Sequence, residues 1–218
     1  MRSRFVDKFN HDDEAPGYDE DVADETNPIR EGYSALLRWV ANQASAGAHS
    51  SVLDLGTGTG NLAVLLDGFD RMVCVDISAE MLGLARAKLA TRSNVAYLQA
   101  DLLQCFEGLE GERFDVVAST YAIHHLTEEE KLVLFRSILR LLEPGGRAVF
   151  GDLMFADDED RRDYLSALRS KGEAELADEV EDEFFWNVEQ AVGELVGLSL
   201  RVTTERFSRM SWGICAAT

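Results

Sequence analysis

A glycine-rich turn follows a short apolar segment in the first third of the chain and has the composition of a ligand-binding turn. The sequence there reads Asp54-Leu55-Gly56-Thr57-Gly58-Thr59-Gly60-Asn61. Glycine lets the backbone approach a ligand closely, and nucleotide-like ligands bind at such strand-to-helix turns in doubly wound sheets. A tight turn without a ligand has the same composition, so the turn alone leaves both interpretations open.

The spacing of the glycines separates the classes of nucleotide site. In the dinucleotide fingerprint G-x-G-x-x-G, counted from Gly56 and Gly58, the third glycine falls on Asn61, whereas this chain has it one position earlier, at Gly60. A phosphate-binding P-loop needs lysine directly after its glycines, and this turn has none. The spacing therefore weakens the hypotheses of an NAD site and of ATP or GTP hydrolysis.

Two further acids end the next two apolar segments. Asp76 comes 22 positions after Asp54, where a carboxylate can accept hydrogen bonds from both hydroxyls of a ribose. Asp101 follows the third apolar segment. A single acid at a strand end is more often a helix cap or a solvated side chain. Three acids in register with the glycine turn favour a nucleoside-containing ligand.

The turn is similar to the D-x-G-x-G-x-G motif of class I S-adenosylmethionine-dependent methyltransferases. The resemblance implies S-adenosylmethionine as the cofactor, with its methionine end at the turn and its adenine amino group at Asp101. It also implies that Tyr18, in an N-terminal flap, covers the cofactor, although an aromatic residue in a polar arm can equally anchor the arm. The predicted cofactor-binding residues are Tyr18, Asp54, Gly56, Thr57, Gly58, Gly60, Asn61, Asp76, Ile77, Asp101, Leu102 and Ser119.

A wider resemblance, to the YrrT-like putative methyltransferases of bacteria, spans most of the chain. It rests on Arg30-Glu31-Gly32-Tyr33, Thr57-Gly58-Thr59-Gly60-Asn61-Leu62, Ser119-Thr120-Tyr121-Ala122-Ile123-His124-His125-Leu126-Thr127 and Leu176-Ala177-Asp178. That group often has Glu before the turn and at the second strand end, where this chain has Asp54 and Asp76. Either carboxylate serves the roles above. The group implies no particular substrate.

His124 and His125 are the candidate catalytic residues. Methyl transfer from a sulfonium is an in-line displacement that needs positioning and desolvation, so we expect no metal. A base is needed only when the acceptor atom carries a proton that it cannot lose unaided, and an imidazole titrates near neutrality. In the alternative interpretation, one histidine packs on the sheet and bonds backbone while the other is solvated.

Short apolar segments alternate with amphipathic ones, which is typical of parallel strands joined by helices. Ser78 is a predicted N-cap, and Thr127 with Glu130 has the spacing of a capping box. Predicted strands cover residues 51–55, 72–76, 95–98, 114–119, 147–153, 198–205 and 209–216. Predicted helices cover residues 29–44, 61–69, the segment after Ser78, 127–142, a charged insert at 157–187 broken near Gly172, and 187–196.

The net charge of the chain limits the classes of molecule that it can bind. The 218 residues carry 21 Lys and Arg against 40 Asp and Glu, a formal net charge of −19, which repels phosphate backbones and disfavours nucleic acid. Residues 11–25 and 157–183 hold most of the excess acid. If both stretches surround the entrance to the site, the acceptor should be neutral or cationic; they can also be solvated helix faces that keep the protein soluble.

Cysteine use and hydropathy bear on the compartment. The three cysteines are widely spaced, so neither a disulfide framework nor a thiolate zinc site is expected. No apolar run approaches a membrane span, and the first ten residues lack the apolar core of a signal peptide. We therefore expect a cytoplasmic protein that does not associate with membranes.

The combined prediction is one α/β domain over residues 1–218 with a Rossmann-like class I methyltransferase fold. Its sheet should have seven mostly parallel strands with the last antiparallel, an acidic flap at residues 1–28 and a lid-like insert at 157–187. The predicted activity is methylation of a small molecule. An NAD-dependent oxidoreductase and a non-catalytic cofactor-binding protein are the alternatives. The sequence does not fix the oligomeric state or the acceptor.

Overall fold

A twisted sheet with helices on both faces dominates the computed structural model, which describes residues 2–45 and 50–218. Its strands are β1 (Ser50–Leu55), β2 (Phe69–Asp76), β3 (Val95–Gln99), β4 (Phe114–Thr120), β5 (Leu142–Phe155), β6 (Trp186–Asn187), β7 (Arg201–Arg206) and β8 (Ser211–Ala217). The order is β3-β2-β1-β4-β5-β8-β7, with the two-residue β6 beside β5. β8 is antiparallel to both of its neighbours, β5 and β7, and the remaining strand pairs of the described sheet are parallel. The predicted fold class is confirmed, and β6 is an addition to it.

The helices are α1 (Tyr18–Ala23), α2 (Tyr33–Ala44), α3 (Ala79–Lys88), α4 (Cys105–Gly108), α5 (Glu128–Leu141), α6 (Asp158–Lys171), α7 (Ala174–Glu181) and α8 (Val188–Gly197). Short 3-10 turns lie at Ala15–Gly17, Ala63–Leu65 and Ile123–His125. The Ser78 side chain accepts a hydrogen bond at the start of α3, and Thr127 and Glu130 form the capping box of α5, as predicted. Gly172, in the left-handed conformation, ends α6 and breaks the insert where the sequence indicated.

Alternation along the strands explains the two-sided core. Val52 of β1 packs into the cluster that holds Leu36 and Val40 of α2. Leu53, its neighbour, points to the opposite face and joins the cluster that holds Phe135 of α5 and Phe150 of β5. Both faces of the central strands are therefore covered, as expected for a parallel sheet. No helix of the described chain has the length and apolarity needed to cross a membrane.

The helix predicted over residues 61–69 is wrong. The segment forms only the 3-10 turn Ala63–Leu65 before β2 begins at Phe69. The guanidinium of Arg92, which follows α3, donates to the carbonyls of Ala63, Val64 and Leu66. These bonds satisfy carbonyl groups that a longer helix would have paired internally. A side chain distant in sequence thus replaces a regular element.

The strand order reverses between β1 and β4. Both strands are parallel neighbours at the centre of the sheet, while the chain continues from β1 to β2 on one side and from β4 to β5 on the other. Ligands of open α/β sheets bind at such a switch point, beyond the carboxyl ends of the strands. The glycine turn after β1 and the His124-His125 segment after β4 both lie there.

Candidate active site

A cavity of about 290 Å³ lies at this edge of the sheet. Its walls come from the N-terminal arm, the glycine turn, the ends of β2 and β3, the segment after β4 and the insert. Eleven predicted site residues line it: Tyr18, Gly56, Thr57, Gly58, Asn61, Asp76, Ile77, Asp101, Leu102, His124 and His125. The structure thus brings together in one space the residues proposed for cofactor binding and for catalysis.

Three predicted cofactor-binding residues lie outside the cavity lining. Asp54 is buried at the end of β1. Gly60 lies against α3, where an added Cβ would come within 3.1 Å of the Ala85 Cβ. The Ser119 hydroxyl donates to the Leu55 carbonyl at 2.7 Å and so ties β4 to β1. In the structure, these residues support the walls of the cavity.

The backbone of the turn explains its glycines. Gly56, Gly58 and Gly60 have φ angles of 71°, 55° and 88°, in the left-handed region that side chains disfavour. A Cβ at Gly56 would lie 2.3 Å from the Ala122 Cβ, whereas a Cβ at Gly58 would meet no atom within 4 Å. Gly56 is therefore required by packing against the segment after β4. Gly58 faces open space that a ligand can fill.

Asp76 links the turn to the next strand. Its Oδ2 accepts from the Gly58 N–H at 2.7 Å, and its Oδ1 accepts from the Ser78 N–H at 2.9 Å. Burial raises the pKa of Asp76 above its usual value, although these hydrogen bonds oppose the shift. Each oxygen keeps a second lone pair, so the carboxylate can still accept from two hydroxyls.

Asp54 is an acid without a partner. Both carboxylate oxygens are buried, and neither has a hydrogen-bond partner among the described residues. Burial raises the pKa of Asp54 to about 7. A buried polar group left unpaired is costly and typically marks a site whose partner arrives with a ligand or water. The open space at Gly58 and the unpaired Asp54 carboxyl therefore fit a cofactor that carries an ammonium group.

The arm reaches the site at two points that the sequence did not indicate. The Ser3 N–H donates to Asp101 Oδ1 at 3.2 Å, beside the Leu103 N–H at 2.9 Å. Asp19, next to Tyr18 in α1, accepts from Thr59 Oγ1 at 2.6 Å and forms an ion pair with Lys88 at 2.6 Å. No sequence motif predicts these contacts, because each contact joins residues that are distant in sequence. They hold the arm against the glycine turn and against the predicted adenine acid.

Tyr18 lies in the cavity wall, half-buried, with the Arg30 guanidinium 5.9 Å from its ring centre. Burial raises the pKa of its hydroxyl, so Tyr18 stays neutral. Both predicted roles are compatible with this position. The side chain faces the cavity and also belongs to the helix that anchors the arm.

The His124 ring is oriented by the buried carboxylate of Asp152. Its Nδ1 lies 2.5 Å from Asp152 Oδ1, and the other Asp152 oxygen accepts from the backbone N–H groups of Ile123 and His124. Burial opposes ionisation of Asp152, but its electrostatic interaction and hydrogen bond with the His124 ring outweigh burial and lower the pKa of the carboxyl. With Nδ1 engaged, Nε2 is the ring nitrogen left for a ligand or a proton. Sequence reasoning missed Asp152, which lies within β5.

His125 joins the arm to the insert. Its Nδ1 lies 3.2 Å from Glu183 Oε2 in the insert, and its Nε2 lies 3.1 Å from His11 Nε2 in the arm. The ring stacks on Phe9 with a centroid separation of 4.2 Å. Burial lowers the pKa of His125 to about 3, so the imidazole is neutral. Neither histidine is solvated, contrary to the alternative interpretation of the pair, and the role of either as a base stays a prediction.

Comparison with known proteins identifies the family. The methyltransferase domain model matches residues 52–146. An uncharacterized methyltransferase of Geobacillus kaustophilus is 36% identical over 191 residues, which are 85% of this chain and 83% of that protein. Another, of Anoxybacillus flavithermus, is 30% identical over 218 residues, which are 97% of both chains.

Solved structures share the fold. The chain is similar to DhpI in its SAH complex, with a TM-score of 0.67, 19% identity and coverage of 94% of this chain and 92% of that one. It is also similar to the N-methyltransferase NodS of Bradyrhizobium japonicum in complex with S-adenosyl-l-homocysteine, with a TM-score of 0.62, 18% identity and 88% coverage of both chains. The chain therefore belongs to the class I S-adenosylmethionine-dependent methyltransferases, and S-adenosylmethionine is its cofactor.

Proposed function

We propose that the enzyme methylates a small molecule that binds beside the His124-His125 pair. The observation that carries this proposal is that the glycine turn and the histidine pair line one cavity of about 290 Å³. Its size is near the lower end of small-molecule sites. The arm and the insert cover it, and both are anchored by buried side chains such as Phe9 and Phe185. A macromolecular acceptor would have to displace both.

The residues present fit the cofactor. When bound, S-adenosylmethionine supplies an electrophilic methyl group on a sulfonium. We assign Asp76 to the ribose hydroxyls, Asp101 to the adenine amino group, and the turn around Gly58 to the methionine end. Asp54 places a carboxyl group beneath the turn, where its two oxygens lack a protein partner among the described residues. Positioning by these groups and exclusion of water by the two covers supply the rate enhancement that methyl transfer needs.

The charges around the cavity support a neutral or cationic acceptor. Glu14, Glu179 and Glu183 line it. Arg30 also lines it, but its charge is engaged by Asp21 at 2.6 Å. An anionic acceptor would meet repulsion at this wall. The net charge of −19 likewise supports a protein that binds neither nucleic acid nor an anionic membrane surface.

We also propose a cytoplasmic location. Cys74, Cys105 and Cys215 are all free and buried. Burial raises the pKa of Cys105 to about 12, so this thiol is unreactive. Cysteines kept reduced and apart are typical of a reducing compartment.

Two measurements test the proposed function. Calorimetric titration should show one site per chain for S-adenosylmethionine and for its demethylated product. A screen with methyl-labelled cofactor should then compare amines, thiols, phenols and carboxylates of matched size with a protein and an RNA acceptor. We expect label transfer to a neutral or cationic small molecule. Transfer only to the protein or the RNA would overturn the proposal.

A further inference from the structure

We propose that His124, His125 and Glu183 form a binding site for one divalent transition-metal ion, of which Zn²⁺ is the best match. One potential ligand atom from each of the three lies within 4.8 Å of the other two. All three side chains line the cavity beside the glycine turn. The site revises the expectation, drawn from the sequence, that this enzyme uses no metal.

The first argument is the support behind each histidine. A metal-binding histidine almost always donates its second ring N–H to a carboxylate, a carbonyl or water. His124 Nδ1 is engaged by Asp152 at 2.5 Å, and Asp152 is itself held by two backbone N–H groups. His125 Nε2 lies 3.1 Å from His11, whose Nδ1 lies 2.6 Å from Glu14 Oε2. Each ring is thus fixed by a chain that ends on a carboxylate.

The second argument is the contact between His125 and Glu183. His125 Nδ1 lies 3.2 Å from Glu183 Oε2, and only 17% and 21% of the two side chains are exposed. Because His125 Nε2 is engaged by His11, Nδ1 is the ring atom left to bind a metal ion. This nitrogen and the Glu183 carboxylate therefore offer two adjacent ligand atoms within the group of three.

The third argument is that Glu183 is held in place. The next residue, Phe184, donates its N–H to the His124 carbonyl at 3.1 Å, and its own carbonyl accepts from the buried Lys131 Nζ. The backbone next to Glu183 is therefore anchored to the backbone of His124 and to Lys131. Ligand atoms of a tetrahedral ion with bonds of 2.0–2.1 Å lie about 3.3 Å apart. The widest separation must shorten by at most about 1.5 Å, a small side-chain rotation.

The ligand set determines the class of ion. Two imidazoles and one carboxylate suit Zn²⁺ and its neighbours, whereas Mg²⁺ and Ca²⁺ prefer oxygen alone. Three protein ligands leave a coordination position open, as in catalytic zinc sites. That position faces the cavity, where the ion would be a Lewis acid for the heteroatom of the acceptor. Only this use of the ion rests on the proposed function; the metal site itself does not.

The test titrates chelator-treated, full-length protein with Zn²⁺ by calorimetry and with Co²⁺ by its visible ligand-field absorption. We expect one ion per chain. Glu183→Gln should weaken binding at least ~100-fold, and Asp152→Asn about 10–100-fold through His124. The matched control is Glu179→Gln, which removes another carboxylate of the same cavity wall and should change the affinity less than twofold.

Two results would overturn the metal site. One is the absence of saturable binding, which would mean that the contact between His125 and Glu183 is a hydrogen bond only. The other is equal affinity of the Glu183→Gln and Glu179→Gln variants, which would mean that the acidic surface attracts the ion non-specifically. Glu183→Gln preserves the size and shape of the side chain, so we expect the variant to fold and its weaker binding to report the loss of the carboxylate. Titration of the metal-free protein with the demethylated cofactor is a separate readout, and its failure would reject the proposed function instead.

Discussion

At the scale of single residues, the free energy of cofactor binding should depend most on Asp76. The carboxylate orders the turn through the Gly58 N–H and has lone pairs left for two hydroxyls. Hydrogen bonds to charged groups contribute about 1.5–3 kcal/mol each, so Asp76→Ala should raise the cofactor Kd at least tenfold. Calorimetry measures the Kd, and Asp76→Glu, which keeps the charge, is the control. A folded Asp76→Ala protein with the wild-type Kd would remove Asp76 from the site.

Asp54 should make the stability of the cofactor-free enzyme dependent on pH. Burial raises its pKa to about 7 in the folded protein, well above that of an ordinary aspartate, so the neutral form stabilises the fold relative to the ionised form. That contribution is fully present below pH ~4 and is lost as the pH rises to about 7, by roughly 1 kcal/mol per pH unit. Asp54→Asn does not titrate.

Urea unfolding of both proteins from pH 5.5 to 8 checks this expectation. The stability of Asp54→Asn relative to wild type should increase with pH up to about 7 and then level off. The comparison cancels every other titrating group common to the two proteins. A stability difference that stays constant across the range would show that Asp54 does not change its protonation state there.

At the scale of elements, two glycines of the turn after β1 should have different roles. Gly58 leaves space for the cofactor, and Gly56 allows close packing. Gly58→Val should abolish cofactor binding while the protein still folds, because a Cβ at this position meets open space in the free protein. The left-handed backbone costs a side chain only about 1–2 kcal/mol. Gly56→Ala should instead destabilise the fold, because its Cβ would lie 2.3 Å from the Ala122 Cβ.

Thermal unfolding and calorimetric titration of both variants separate the two effects. Wild-type cofactor affinity in Gly58→Val would exclude this turn from the binding site. An unchanged melting temperature in Gly56→Ala would show that the segment after β4 adjusts more easily than its packing indicates.

The elements also show what the sequence predicts well and what it does not. The strands, the caps at Ser78 and Thr127, and the break at Gly172 depend on local pattern, and they are confirmed. The shortened segment after the glycine turn depends on Arg92, which lies 26 to 29 residues further along the chain than the carbonyls that it binds. No local pattern reports such a contact.

The same distinction holds in the candidate site. Acids at strand ends stand out because topology brings those ends together, and Asp76 and Asp101 both line the cavity. Asp152 lies within β5, and nothing in the sequence distinguishes it from a solvent-exposed acid. The contacts of Ser3 with Asp101 and of His11 with His125 arise from the path of the arm. Spacing along the chain contains no information on that path.

At the scale of the whole molecule, the distribution of charge should select the acceptor. Acidic residues of the arm and the insert line the cavity. Their field concentrates cations and repels anions, with a range of about 8–10 Å at ordinary salt. Of two acceptors that differ only in charge, the cationic one should have the higher kcat/KM at low salt. The preference should decline at high salt.

Steady-state kinetics at low and high ionic strength measure this preference. Faster turnover of the anionic acceptor at low salt would reject steering by charge. If salt does not change the ranking of the acceptors, the result would favour the hypothesis that the acidic stretches only keep the protein soluble.

The hydrogen bond from Ser3 to Asp101 has a practical consequence for anyone who expresses this enzyme. A segment fused to the arm ahead of Ser3 would lie close to the proposed adenosine site, since Ser3 itself lines the cavity. Thr218, which follows β8, bonds Gly145 and Gly146 at the opposite edge of the sheet. An affinity tag fused at the N-terminus should therefore alter the apparent Kd for the cofactor, whereas one fused after Thr218 should not.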